Sequence, residues 1–422
     1  MDAGEKPASD FLQTLAEGIE PLARISILLA FWRIEMNNNN SALNLRVNAN
    51  IQALASLTSP LPCLETLKNY SGWGGLKEAI YTPEVYRQLK RILSDDDITA
   101  IKNTLKTAYY TPKPLVEFIY QMVIKLGCKP NSILEPSCGH GAFIESMPES
   151  LRQQAKIIAV EMDFVSCRLI QALYPDVSTH YIGFEQFNPD QKYGLIVGNP
   201  PFGQFCIEDT MHPDLSAYSI HHYFVGKCMR LLEEGGILAM VVPRYFLDSR
   251  KKHIRGIIEA DGGSLIAAFR LPDDLFENAK VTVDVVFLRK SPGKTHWLTA
   301  LPYEHQHKRA FMNQYFFNNP THVIGKIEYI DVYDRTEITC KRIHDDVYAT
   351  LQKEMSSLSQ SSLSFGPQKC QQILEERLNL LQQKIKASIR EYRHLKSLKQ
   401  QIDQCEQHLI NLCQTFFEYK FD

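Results

Sequence analysis

Several features that would fix a function class are missing from this chain. Its ten cysteines include no Cys-x-x-Cys pair, so neither a zinc ribbon nor a disulfide scaffold is expected and no metal is assigned. No apolar run is long enough to cross a bilayer. Ile25 to Trp32, one of the more continuous runs, falls far short of the roughly 20 residues a spanning helix needs. No secretory leader pattern opens the sequence, and a cytoplasmic location away from membranes is the expectation. An excess of one charge is absent too. Lysine and arginine total 46 against 48 acidic residues, a net charge of −2, whereas proteins that grip a duplex usually carry a basic footprint.

What is present centres on four residues. Asn199-Pro200-Pro201-Phe202 follow the apolar run Leu195-Ile196-Val197, which reads as a buried parallel strand. They therefore stand at a strand's carboxyl end, where α/β enzymes keep their chemistry. Such a loop suits methylation of an exocyclic or amide nitrogen. The lone pair of that nitrogen is delocalised, so two acceptors must draw its N–H bonds towards tetrahedral geometry before it can attack. The Asn199 side-chain oxygen supplies one acceptor and the Pro200 carbonyl another. Two successive prolines stiffen the loop and add no competing N–H. Phe202 offers a flat face on which an extruded base would stack, worth roughly 1–3 kcal/mol.

Two further strand ends stand in order upstream. Ser132 to Phe143, containing Glu135-Pro136-Ser137-Cys138-Gly139-His140-Gly141, reads as strand, glycine turn and helix start. Glycines let the backbone approach a ligand, and an acid at the strand tip receives a cationic amine. Cys138 is read as a packing residue. Lys156 to Asp163 is a second strand ending in Glu161, placed to accept hydrogen bonds from ribose hydroxyls.

These residues resemble the class I methyltransferases that use S-adenosylmethionine, and within them the N6-adenine DNA methyltransferases. Ala108-Tyr109-Tyr110-Thr111-Pro112 is similar to the family's Tyr/Phe-x-Thr-Pro element, which closes over the methionine half of the cofactor. The short interval between cofactor and catalytic loops resembles the gamma group and the modification subunits of type I restriction systems. The resemblance implies a Rossmann-like α/β sheet and S-adenosylmethionine as cofactor. It assigns Tyr110, Thr111, Pro112, Glu135, Pro136, Ser137, Gly139, Gly141, Glu161, Met162, Phe184, Glu185 and Asn199 to cofactor binding, and Asn199, Pro200, Pro201 and Phe202 to catalysis.

The sequence departs from the family twice. An Asp-Phe pair is usual after the third strand, the Asp reading the cofactor's adenine amine; here Gly183-Phe184-Glu185 stands instead, and Glu185 replaces the Asp only if the loop shifts by about two residues. Gly194 stands where an Asp is common before the catalytic strand, which predicts local repacking. A narrower likeness, to plasmid- and phage-borne methyltransferases, rests on Leu67 to Leu76 with its Gly72-Trp73-Gly74-Gly75, and on Val281 to Lys290. The Gly-Trp-Gly-Gly segment is either a structural turn or a lid near the cofactor.

Along the chain, residues 1–95 read as a helical amino-terminal domain, 96–290 as the methyltransferase core, 291–365 as a mixed extension and 366–422 as a long helical tail. A terminal antiparallel hairpin is expected from Ser264–Phe269 and Thr282–Arg289. After Gly366-Pro367 no Gly or Pro recurs and apolar residues from Leu374 to Phe416 step mostly by three and four, giving a coiled coil or helical hairpin that would dock a specificity subunit or a second copy. Arg244, Arg250, Lys251, Lys252 and Arg255 cluster after the fifth strand and are expected to hold DNA phosphates. The main expectation is methylation of a flipped adenine in DNA, within restriction-modification. Methylation of RNA or a protein glutamine, and an inactive binding protein suggested by Gly183 and Gly194, are the alternatives.

Overall fold

In a computed structural model of the chain, the described residues are 43–358, except 106–108, 251–252, 277–279, 292–296, 298, 306–307 and 333–334, together with positions 404 and 407. Two units divide at 359/360. Nearly all of the second, with the expected tail helix, lies outside the described residues.

Seven strands form one sheet. They are β1 (Ser132–Glu135), β2 (Lys156–Glu161), β3 (Ser178–Tyr181), β4 (Tyr193–Gly198), β5 (Leu232–Pro243), β6 (Gly263–Arg270) and β7 (Val283–Lys290). The order is β3-β2-β1-β4-β5-β7-β6. The first five run parallel, and β7 is antiparallel to both β5 and β6, which is the expected terminal hairpin. Strands of a parallel sheet covered on both faces are apolar throughout, and every residue of β4 is buried. This is the mostly parallel, Rossmann-like α/β sheet that the resemblance implies. Its order reverses between β1 and β4, where Ile133 pairs with Leu195 and Leu134 with Ile196, so the carboxyl ends of those two strands open the crevice in which such sheets bind ligands.

Helices before the sheet form a second apolar cluster. A helix over 43–57 buries Val47, Asn50, Ile51 and Leu54, the one-sided spacing of an amphipathic helix. Ser94 and Asp97 form a reciprocal capping box at the start of the helix Asp95–Thr104, an arrangement that satisfies two otherwise orphaned amides. The cluster reaches Val165 and Leu169 of the helix Phe164–Leu173, and Arg168 donates to the Leu57 carbonyl at 3.3 Å.

Beyond β7, two hairpins follow: β8 (Ala300–His305) with β9 (Lys308–Asn313), and β10 (Lys326–Val332) with β11 (Arg335–Lys341). Met312, Tyr315, Phe316 and Ile338 from this stretch share the main core. Arg270 is fully buried, with both Asp284 oxygens at 2.8 and 2.9 Å and Asp248 at 2.9 Å, and its guanidinium lies 4.2 Å from the Phe316 ring centroid. Breaking one partner of such a buried network costs about 3–5 kcal/mol. The aromatic run Tyr315-Phe316-Phe317 thus has a packing role.

Candidate active site

The tips of β1 and β4 wall one cavity. Glu135 ends β1, with Pro136, Ser137, Cys138 and Gly139 continuing the wall. Met162 and Asp163 join from the turn after β2, and Phe184 and Glu185 from the turn after β3. Asn199 and Pro201 complete it from the loop after β4, opposite Tyr109, Tyr110 and Thr111.

Glu135 is only 3 % exposed, and its Oε2 has no hydrogen-bond partner. Burial first, and the neighbouring Glu161 second, hold its carboxyl well above the usual carboxylate range. A cation placed beside it would reverse that cost. Glu161 is engaged differently. Its Oε2 accepts the Gly139 N–H at 2.8 Å, and its Oε1 accepts the N–H groups of Met162 and Asp163 at 2.8 and 2.9 Å. Burial still raises its carboxyl. Glu161 therefore ties the β1 loop to the β2 turn as well as lining the cavity.

Asn199 is oriented by its amide. Nδ2 donates to the Tyr109 carbonyl at 2.7 Å, which leaves Oδ1 buried without a partner. The Ser137 hydroxyl donates to the Asn199 carbonyl at 3.4 Å. Phe202 stands beside this group, its ring centroid 6.1 Å from that of Tyr109 at a 34° tilt. Thr111 Oγ1 is a third buried atom without a partner.

Four expected residues do not line the cavity. Pro112 starts the helix Lys113–Lys125. Pro200 is buried, and Phe202 pairs with Tyr109 and, at 6.5 Å, with His221. Gly141, at φ +92°, has Ile170 Cδ1 2.3 Å from where a Cβ would stand, so its missing side chain admits the helix Phe164–Leu173 and not a ligand. Cys138 is a packing residue: burial keeps its thiol well above the ordinary range.

Both departures from the family pattern have a physical account. A Cβ at Gly183 would fall 2.1 Å from Glu185 Oε1, so the Glu185 carboxylate occupies the space an Asp at 183 would fill, reached from two residues further on. Gly194 is hemmed in by Glu233 Oε1 at 2.8 Å and Pro130 at 3.0 Å from the same construction, which leaves no room for an Asp.

The Gly-Trp-Gly-Gly segment is both a turn and a wall. Trp73 is buried and lines the cavity, as do Tyr70 and Ile101. Asn50 holds the turn, donating to the Gly72 carbonyl at 2.7 Å and accepting from the Ser71 N–H at 2.9 Å. A Cβ at Gly72 would fall 2.0 Å from the Tyr110 hydroxyl. Ile207, Ile220 and Phe224 also line the cavity. Of these wall residues only Tyr70 and Trp73 stood in a recognisable segment, Leu67 to Leu76; the others carry no motif.

The basic cluster needs correction. Arg244 is buried, paired with Asp248 at 3.7 Å and with Glu337. Arg255 is buried and donates to the carbonyls of Leu247 and Ser249. Neither is available to a phosphate, because the fold consumes both guanidiniums. Arg250 is exposed, 4.5 Å from the Phe311 ring. Lys251 and Lys252 lie outside the described residues.

Orphaned acceptors at Glu135, Thr111 and Asn199, with an aromatic and acidic end at Phe184 and Glu185, fit a ligand that is cationic at one end and carries a heteroaromatic base at the other. The Eco57I restriction-modification methylase family matches residues 145–262, a stretch holding Glu161, Phe184 and the Asn-Pro-Pro-Phe loop. Over that stretch the chain resembles an Eco57I-type methylase domain. The lining fits S-adenosylmethionine, whose cationic amine Glu135 would face and whose adenine Phe184 and Glu185 would meet. The chain is also similar to the Defense against restriction protein B of Escherichia phage P1, 29 % identical over 52 % of this chain and 10 % of that protein. Type II methyltransferase M.CvrRI of Paramecium bursaria Chlorella virus XZ-6E is 30 % identical over 44 % of this chain and 49 % of that one. The chain thus spans half or less of these curated relatives. Among solved structures, a type I restriction-modification methyltransferase subunit from Streptococcus thermophilus superposes over 83 % of this chain and 87 % of that one, at 14 % identity and a TM-score of 0.39. Among the described residues no helix is long and apolar enough to cross a membrane.

Proposed function

We propose that the chain transfers a methyl group from S-adenosylmethionine to the N6 amine of adenine in DNA, with the target base turned out of the stack. One observation carries the reading: Asn199 Oδ1 is a buried acceptor without a partner, fixed in orientation because Nδ2 is spent on the Tyr109 carbonyl. An acceptor so held needs no reorganisation when an amine N–H arrives. The Pro200 carbonyl is the second acceptor in this reading, and the fixed φ of Pro200 and Pro201 limits its motion. The Phe202 ring, 6.1 Å from that of Tyr109 between centroids, offers a face against which a base would stack.

On the cofactor side, Glu135 would take the cationic amine, Glu161 the ribose hydroxyls, and Phe184 with Glu185 the adenine. When bound, S-adenosylmethionine supplies an activated methyl on a sulfonium. The protein's contribution is to hold the amine nitrogen in line with that methyl, and positioning of this kind supplies much of the rate. Arg250 remains a candidate for a phosphate contact; with the basic cluster reduced by Arg244 and Arg255, specificity would come from a partner subunit or from residues outside 43–358.

The acceptor is tested with tritiated S-adenosylmethionine and equal amounts of unmethylated DNA, RNA and protein extract. Label entering DNA adenine supports the reading, and label confined to RNA or protein overturns it.

A further inference from the structure

Lys227 has no exposed surface, although it sits in mid-helix of Ile220–Leu231. Its ammonium has three donors and three acceptors around it: the Phe184 carbonyl at 2.7 Å, Asp209 Oδ2 at 2.9 Å and the Glu185 carbonyl at 3.2 Å. Two of these belong to the turn that presents Phe184 and Glu185 to the cavity. The third, Asp209, lies on the loop that follows the Asn-Pro-Pro-Phe residues and is itself fixed by the Tyr223 hydroxyl at 2.6 Å and by the N–H groups of Met211 and His212 at 2.8 and 3.0 Å. The ammonium also stands 5.0 Å from the Phe184 ring centroid.

A buried ion pair adds little net stability over an apolar filling of equal volume. What the ammonium adds is location, because two successive carbonyls drawn to one point fix the backbone that aims both side chains. Lys227 does not line the cavity, so it acts through the residues it holds.

We propose that Lys227 is a positioning residue for the cofactor's adenine, holding the Phe184 ring and Glu185 carboxylate in register with the 6-amino group and linking that pocket through Asp209 to the loop after the catalytic residues. This rests on the reading that Phe184 and Glu185 meet the adenine. It places specificity for an adenine-bearing cofactor on a residue that no motif contains.

The test is isothermal titration with S-adenosylhomocysteine and with its analogue lacking the 6-amino group. It compares wild type, Glu185→Leu, Lys227→Met and the double variant Lys227→Met/Asp209→Asn, which leaves no unpaired carboxylate should the single variant fail to fold. The wild type is expected to prefer S-adenosylhomocysteine by about tenfold, the worth of one buried hydrogen bond. Glu185→Leu, which removes the acceptor, should erase that preference. Lys227→Met, or the double variant, should cut it to about threefold or less, weakening S-adenosylhomocysteine more than the analogue, which loses only its packing on Phe184. Equal weakening of both ligands would mean a merely structural lysine, and a preserved preference would mean no role; either overturns the proposal. A preference that survives Glu185→Leu overturns it through its premise, a result distinct from loss in Glu185→Leu with retention in Lys227→Met.

Discussion

At the scale of single residues, the site is organised by what is left unpaired. Glu135 and Asn199 each keep a buried oxygen without a hydrogen bond, and a folded protein tolerates such atoms where a ligand will satisfy them. The Glu135 carboxyl is raised by burial and then by Glu161, so between the ordinary carboxylate range and that raised value the free protein keeps the proton, while a bound cationic amine favours the carboxylate. Binding S-adenosylmethionine must therefore release a proton, and affinity should rise with pH until the raised carboxyl has ionised, then level off. Calorimetry in two buffers of different ionisation enthalpy should detect that proton in the wild type and not in Glu135→Gln. The same shift makes the empty protein lose stability as pH climbs from the ordinary carboxylate range to the raised value, since the folded state there binds more protons than the unfolded one. Phe202→Ala should lower kcat/KM for DNA by roughly 10- to 100-fold, the stacking of one base, without changing cofactor affinity. A fall in cofactor affinity of the same size would move Phe202 out of the base-binding role.

At the scale of elements, the strands and their tips were legible because burial on both faces forces continuous apolar runs, as in Leu195-Ile196-Val197, and because Glu135, Glu161 and Asn199 follow such runs directly. Buried arginines were not legible. Arg244 and Arg255 look like a phosphate clamp in sequence, and only the fold reveals Glu337 from β11 and the Leu247 and Ser249 carbonyls as their partners. The wall was legible only in part: the segment holding Tyr70 and Trp73 was one of two open readings, a turn or a lid, while Ile101, an apolar residue distant in sequence, carries no sign of which cavity it faces. Trp73 makes this testable. S-adenosylhomocysteine should change the intrinsic fluorescence of the wild type, and Trp73→Phe should abolish most of that change while Trp297, buried elsewhere against the Gly263 carbonyl, continues to emit. An unchanged signal in Trp73→Phe would remove Trp73 from the cofactor's surroundings.

At the scale of the whole molecule, the helices before the sheet are part of the site and not an appendage to it. Their apolar cluster runs on into Val165 and Leu169, and their residues close one side of the cavity. A chain beginning at residue 109 would expose that cluster. It is expected to melt at lower temperature and to bind S-adenosylmethionine at least about tenfold more weakly, as thermal unfolding and titration would show; undiminished affinity would mean that Tyr70, Trp73 and Ile101 are dispensable. The extension after β7 is likewise continuous with the main core through Tyr315 and Phe316, which a linear reading separates because its hairpins follow the sheet in sequence. The central claim remains the Asn199 oxygen. Nucleoside mass spectrometry of DNA incubated with S-adenosylmethionine and either wild type or Asn199→Ala tests it most directly. N6-methyldeoxyadenosine is expected with the wild type and at least about a hundredfold less with Asn199→Ala, the cost of removing one aimed hydrogen-bonding group; equal amounts from the two proteins, or methylation of another nucleoside, would refute the role given to Asn199.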